Sequence, residues 1–127
     1  MRDLYTRYIA TCNAHQFELL GRFVAQDVRV DGTVRGLKRY VADLQGVVAV
    51  FPDYHWELQH LVVDGDWMAA HLLDSGTQAL AFRDVAPAGR RFVVPEFAFY
   101  RVEERRIVDV WARADERAMI EQLQGAV

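Results

Sequence analysis

The sequence predicts an α+β domain, its helices gathered early and a curved antiparallel sheet wrapped over them. Two observations predict this. Apolar residues recur at a spacing near four as far as Val50, and in alternation from Tyr54 onward. Toward the C-terminus, FVVPEFAFYR (92–101) and IVDVWARAD (107–115) flank the charged run EERR (103–106), which reads as a β-hairpin. Helices first and strands later place the helices on one face of the sheet, and nothing alternates strand with helix as a parallel sheet requires.

The elements follow in order. Leu4, Tyr5, Tyr8, Ile9 and Cys12 stand at helical spacing within residues 2–15. Phe17-Glu18-Leu19-Leu20, with Phe23 and Val24, gives a second short helix, and residues 27–32 read as a brief strand ending in a turn at Gly32. Gly36 to about Val50 is helical again, with Leu37, Tyr40, Val41, Leu44 and Val48 on its buried side; Phe51-Pro52-Asp53 ends it, because proline cannot continue a helix. WELQHLVV (56–63) and WMAAHLLDSGTQALAF (67–82) make two strands about an Asp64-Gly65-Asp66 turn, with Gly76 marking a bulge or sharp bend. A loop at residues 86–89 precedes the hairpin. ERAMIEQL (116–123), carrying Met119, Ile120 and Leu123, closes the chain as a helix, with Asp115 placed to cap it. On the last strand Asp109 and Arg113 share a face and read as a surface pair, while Val108, Val110, Ala112 and Ala114 share the other.

Composition bounds the partners. A chain of 127 residues, 52% hydrophobic and 26% charged, suits a single domain, 1–127, with a packed core. The net charge of −3, with acids and bases interspersed, excludes a polyanion-binding surface, so no nucleic-acid partner is expected. No apolar stretch approaches the roughly 20 residues of a membrane-crossing helix. The N-terminal MRDLYTRYIATCNAHQ lacks the apolar segment of a secretory leader, so a cytoplasmic protein with no membrane partner is expected. A single cysteine, Cys12, gives neither an internal disulfide nor a cysteine-based zinc site. Histidines and acids show no metal-ligand spacing, and neither a glycine-rich phosphate loop nor a nucleophile elbow occurs; no metal or cofactor is expected.

Several stretches, in order along nearly the whole chain, carry a family likeness: RYIATCNAHQFELL (7–20), FVAQDVRVDG (23–32), FPDYHWEL (51–58), VVDGDWMAAH (62–71), Gly76-Thr77, PAGRR (87–91) and FYRVEERRIVDVW (99–111). The pattern resembles the SnoaL-like polyketide cyclases, within the NTF2-like group of cone-shaped α+β domains. The resemblance implies one apolar pocket enclosed between helices and sheet, and a homodimer formed through the outer face of the sheet, where Trp67 or Trp111 would anchor the contact. It also implies facing. Matched to ketosteroid isomerases of the same fold, Tyr8 falls at a tyrosine that donates to the substrate oxygen, and a general-base aspartate falls near Asp31 or Gly32. The acid/base histidine and aspartate of the cyclases fall near Ala98 and Ala112, which carry neither group.

The candidates for chemistry are few. His71 shares a strand face with Ala69, Leu73 and Ser75; the resemblance turns that face inward, and a histidine serves as acid or base near neutrality. Glu96 shares a face with Val94, Ala98 and Tyr100, and a carboxyl among apolar neighbours holds its proton to higher pH. Tyr8 is placed to hydrogen-bond a developing oxyanion. His60, on the face of Trp56, Leu58 and Val62, reaches toward the same hollow. Together these predict His71, Glu96 and Tyr8 as catalytic residues, with Asp31, His60, Leu73, Ala98, Val110 and Ala112 against the ligand. The function expected is cofactor-free proton transfer on an apolar, carbonyl-bearing cyclic or polyketide-like molecule, giving cyclisation, isomerisation or elimination. Two alternatives stand beside it: a non-catalytic binding domain, and an epoxide-opening hydrolase using Glu96 with Asp31.

Overall fold

The structure, a computed structural model, describes residues 1–125. Helix α1 (Arg2–Asn13) turns Tyr5, Tyr8 and Cys12 into the core, as their spacing requires. The expected second helix is a 3₁₀ turn over Phe17–Arg22, entered through the left-handed His15 (φ 55°). Phe17 and Leu20, three residues apart, eclipse one another in that tighter coil and are its buried anchors. Strands β1 (Val24–Val30) and β2 (Thr33–Val34) meet at Asp31-Gly32, both with positive φ, which suits a tight hairpin turn. Helix α2 (Leu37–Val50) follows and stops before Pro52, as expected. Then come β3 (His55–Asp64), β4 (Trp67–Thr77), β5 (Arg91–Glu103), β6 (Arg106–Ala114) and α3 (Glu116–Leu123). Asp115 caps α3 by accepting from the Ala118 amide at 3.1 Å.

The six strands lie in the order β2-β1-β6-β5-β4-β3. The sheet is mixed rather than wholly antiparallel, because β1 runs parallel to β6. Hairpin turns impose alternation only on consecutive strands, and nothing so short joins β1 to β6. That parallel seam is stitched by charge. Asp109 is buried on the outer face of β6, opposite Arg29 on one neighbouring strand and Arg101 on the other. It accepts from Arg29 Nε and Nη2 at 2.7 and 2.8 Å and from Arg101 Nε at 3.0 Å. The surface pairing of Asp109 with Arg113 therefore does not form; Arg113 reaches Asp31 instead, at 3.1 Å.

Strand β4 ends at Thr77 instead of running to Phe82. Asp53 takes the Thr77 amide and hydroxyl at 2.6 and 2.8 Å, and Gln78 turns its amide onto the Leu80 and Val85 carbonyls. Gly76 is not a bulge: β4 pairs with β5 in unbroken register from Trp67↔Arg101 to Thr77↔Arg91. A Cβ there would lie 3.0 Å from the Phe51 Cβ and 3.1 Å from Phe92 Cε2, so the glycine admits the exit of α2 against the sheet. The irregularity sits on β3, between Leu58 and His60, where one extra residue reverses which side chains face in. Tyr5, Phe17, Leu20, Met68, Leu72, Phe92, Ile107 and Leu123 fill the core between helices and inner sheet face.

The Arg29–Asp109–Arg101 triad generates a prediction. The two guanidiniums, Arg29 first, hold the Asp109 carboxyl below the usual aspartate range. Its stabilising contribution is therefore present above that range and is lost as pH falls through the depressed native value. Asp109→Ala leaves two arginines facing a vacated, half-covered site and lowers unfolding free energy by about 3 kcal/mol at pH 7. Urea denaturation measures that loss, and the gap between variant and wild type narrows toward pH 3.

Candidate active site

Between α1, α2 and the inner sheet face lies a hollow of about 360 Å³. The helices contribute Tyr5, Tyr8, Cys12 and Tyr40; the strands contribute Trp56, Leu72, Glu96, Tyr100, Val110 and Ala112. Glu96, Tyr8, Val110 and Ala112 thus meet as expected. Ala98 is buried on the same strand face, paired with Ala70 and Ala112 across the sheet, without lining the hollow. Among the described residues of this lining none is lysine, arginine or histidine.

The polar groups come in two sets. Four tyrosines form two hydroxyl pairs: Tyr8 with Tyr40, and Tyr5 with Tyr100 at 3.1 Å. Burial raises all four phenols above the usual tyrosine range, so they stay protonated. Within each pair one hydroxyl donates to the other, which leaves the acceptor a proton to direct elsewhere.

The second set is a carboxyl pair. Glu96 faces Leu72, and Asp74 lies two residues further along β4 on the same inner face, a diagonal neighbour across the ladder. Asp74 is fully buried and its Oδ2 accepts from the Tyr54 hydroxyl at 2.6 Å, while among the described residues its Oδ1 has no hydrogen-bond donor. The Glu96 carboxyl, which lies against Asp74, would satisfy that oxygen when protonated. Burial pushes the Glu96 carboxyl up to about 9, its contact with Asp74 pushes the same way, and the Trp56 indole opposes them. Burial raises Asp74 too, against the lowering pull of hydrogen bonds from Glu96 and Tyr54, so the two carboxyls take up and release protons together. Asn13 at the end of α1 fixes Trp56 by clasping its backbone both ways, each bond 2.8 Å.

The histidines are not in the hollow. His71 lies on the outer face of β4 with Ala69 and Leu73, because Met68, Ala70, Leu72 and Asp74 take the inner face. The β3 irregularity puts His60 outside as well, although Trp56 and Leu58 face in. His60 Nδ1 and His71 Nδ1 lie 3.0 Å apart, and His71 stacks on Phe97 at 4.9 Å. Leu73 shares that outer face. Asp31 is exposed in the β1–β2 turn and paired to Arg113, so it neither lines the hollow nor joins Glu96 as a second carboxylate. Sequence reasoning missed Asp74, Tyr40, Tyr54 and Trp56. Both faces of WMAAHLLDSG mix apolar and polar residues, so alternation alone does not choose between His71 and Asp74; Gly76, which needs a close neighbour, was the available signal.

The carboxyl pair has a measurable signature. Glu96 is neutral in the fold and ionised in the unfolded chain between its ordinary value and about 9, so stability falls as pH rises through that window. Glu96→Gln removes the penalty. Its thermal midpoint, followed by differential scanning calorimetry, declines less than that of wild type between pH 5 and 8.5, by the equivalent of about 4 kcal/mol of unfolding free energy.

A curved sheet closed over helices around a hollow lined by phenols, carboxyls and apolar side chains defines a class of small α+β cones. The chain belongs to the SnoaL-like polyketide cyclase family, whose model matches residues 2–123. It is similar to a SnoaL-like polyketide cyclase from Agrobacterium tumefaciens, at 34% identity over 96% of both chains with a TM-score of 0.87. It is also similar to IdmH from Streptomyces antibioticus, at 27% identity, 97% of both chains and a TM-score of 0.88. TsrD from Streptomyces laurentii, at 24% identity, 99% of this chain, 95% of its own and a TM-score of 0.87, shares the fold. No curated protein matches the chain. Among the described residues no helix is long and apolar enough to cross a membrane.

Proposed function

We propose that this protein is a cofactor-independent enzyme that transfers protons on an apolar, carbonyl-bearing cyclic or polyketide-like molecule, yielding cyclisation, isomerisation or elimination. One observation carries the reading: the Glu96 carboxyl is placed beside the buried Asp74, in a hollow that also presents paired phenols, and burial there favours its protonated form. Glu96 is the general acid. It gives its proton to the reacting carbon, or to a departing hydroxyl, and the carboxyl pair, braced by Tyr54 and Trp56, takes up the proton lost from the substrate's α-carbon, so each cycle ends with the pair as it began. Tyr8, relayed through Tyr40, donates to the substrate carbonyl as its oxygen gains charge. His71 has no part in this scheme, since it lies on the other side of the sheet.

Turnover of polyketide-like poly-β-ketones tests the reading. Glu96→Gln lowers kcat by about 10²–10⁴-fold, and Tyr8→Phe by about tenfold to a hundredfold. His71→Ala leaves it unchanged. Wild-type activity falls above pH 9, as Glu96 loses its proton. Full turnover in both Glu96→Gln and Tyr8→Phe would remove the assignment. A binding domain without catalysis is the second reading, favoured by alanines at 98 and 112, where the resemblance places the family's acid/base pair; ligand binding with no turnover by wild type is its mark.

Two copies are proposed to pair through the outer sheet face. Trp67 stacks on Phe99 at 5.0 Å, Trp111 lies beside both, and Phe97 and Phe99 are 61% and 44% exposed. Static light scattering gives a two-chain particle for wild type and a single chain for Phe97→Glu.

A further inference from the structure

We infer that the hollow is the inner half of a two-part site, whose outer half is a groove beside α2 that takes an uncharged alkyl or aryl arm of the substrate, with Gly46 setting the length admitted. The inference rests on the proposed function for the identity of the inner guest, and it adds the shape of the whole molecule.

The groove, about 350 Å³, is walled by Val50, Phe51, Phe82 and Met119, with Gly46 on its α2 side. Asp43 and Val47 line both it and the hollow, so the two spaces adjoin along one face of α2. Tyr54 joins them chemically: its ring walls the groove while its hydroxyl holds Asp74, the partner of Glu96. On this inference a molecule whose reacting ring sits against Glu96 extends its arm outward past Val47 and Asp43, the two residues that line both spaces. Among the described residues the charges at the rim from the far side are Arg83 and Glu116, which neutralise each other at 2.7 Å and tie the loop after β4 to α3. Asp43 is likewise held by Arg35 through two bonds of 2.8 Å. The surroundings thus match a neutral arm and no charged one.

Gly46 is the informative residue. A glycine inside a helix costs about 1 kcal/mol relative to alanine. Neither reason for keeping one applies here, since Gly46 has no positive φ and an added Cβ meets nothing within 4 Å. What its missing side chain preserves is the open groove.

Calorimetric titration with 4-alkylphenols, from 4-methylphenol to 4-octylphenol, tests the inference. In wild type, affinity rises about threefold to fourfold for each added CH₂ that is buried. In Gly46→Phe the rise stops after the first few carbons, while 4-methylphenol binds as in wild type. Gly46→Ala, which only improves the helix, keeps the full rise and controls for folding. An equal chain-length dependence in Gly46→Phe and wild type overturns the inference, as does none in wild type. The acid/base reading fails separately, by unchanged turnover in Glu96→Gln.

Discussion

The close approach of Phe51 to Gly76 is the constraint on which the site depends. A strand has only two faces, and a shift of one residue exchanges them completely. With Gly76 pressed under the exit of α2, the inner face of β4 must carry Met68, Ala70, Leu72 and Asp74. Its unbroken pairing with β5 then brings Glu96 into diagonal contact with Asp74. The same parity sends His71 to the far side. One packing contact thus decides that the interior chemistry is that of carboxyls and phenols.

Burying a carboxyl pair is expensive, and the surrounding structure shows how the cost is limited. One shared proton removes one of the two charges, and Tyr54 solvates what remains. The second polar concentration, Arg29–Asp109–Arg101, lies on the opposite face of the sheet and does different work. There each charge meets an opposite one, and together they secure the parallel β1–β6 junction, where no hairpin fixes the strand direction.

The elements were largely legible in the sequence because hydrophobic period reports secondary structure directly. The α2 stop at Pro52, the terminal hairpin and the Asp115 cap follow from local chemistry. Glu96, Tyr8, Val110 and Ala112 were legible as inward residues once the resemblance supplied facing. The resemblance misled at His71, where both faces of β4 mix apolar with polar side chains and only a tertiary contact separates them. His60 was lost to a bulge that no glycine or proline announces. The parallel seam was equally hidden, since it joins segments from opposite ends of the chain. Asp74 escaped notice because an aspartate within a strand ordinarily signals solvent; its burial makes sense only beside Tyr54 and Glu96, which lie far off in sequence.

The hollow's lining holds acids and phenols but, among the described residues, no basic side chain. A guest carrying a free carboxylate or phosphate would bring a second anion beside Asp74 with nothing to balance it. On the proposed function, then, the substrate reaches Glu96 without a negative charge, any acid group on it being masked as an ester, amide or lactone.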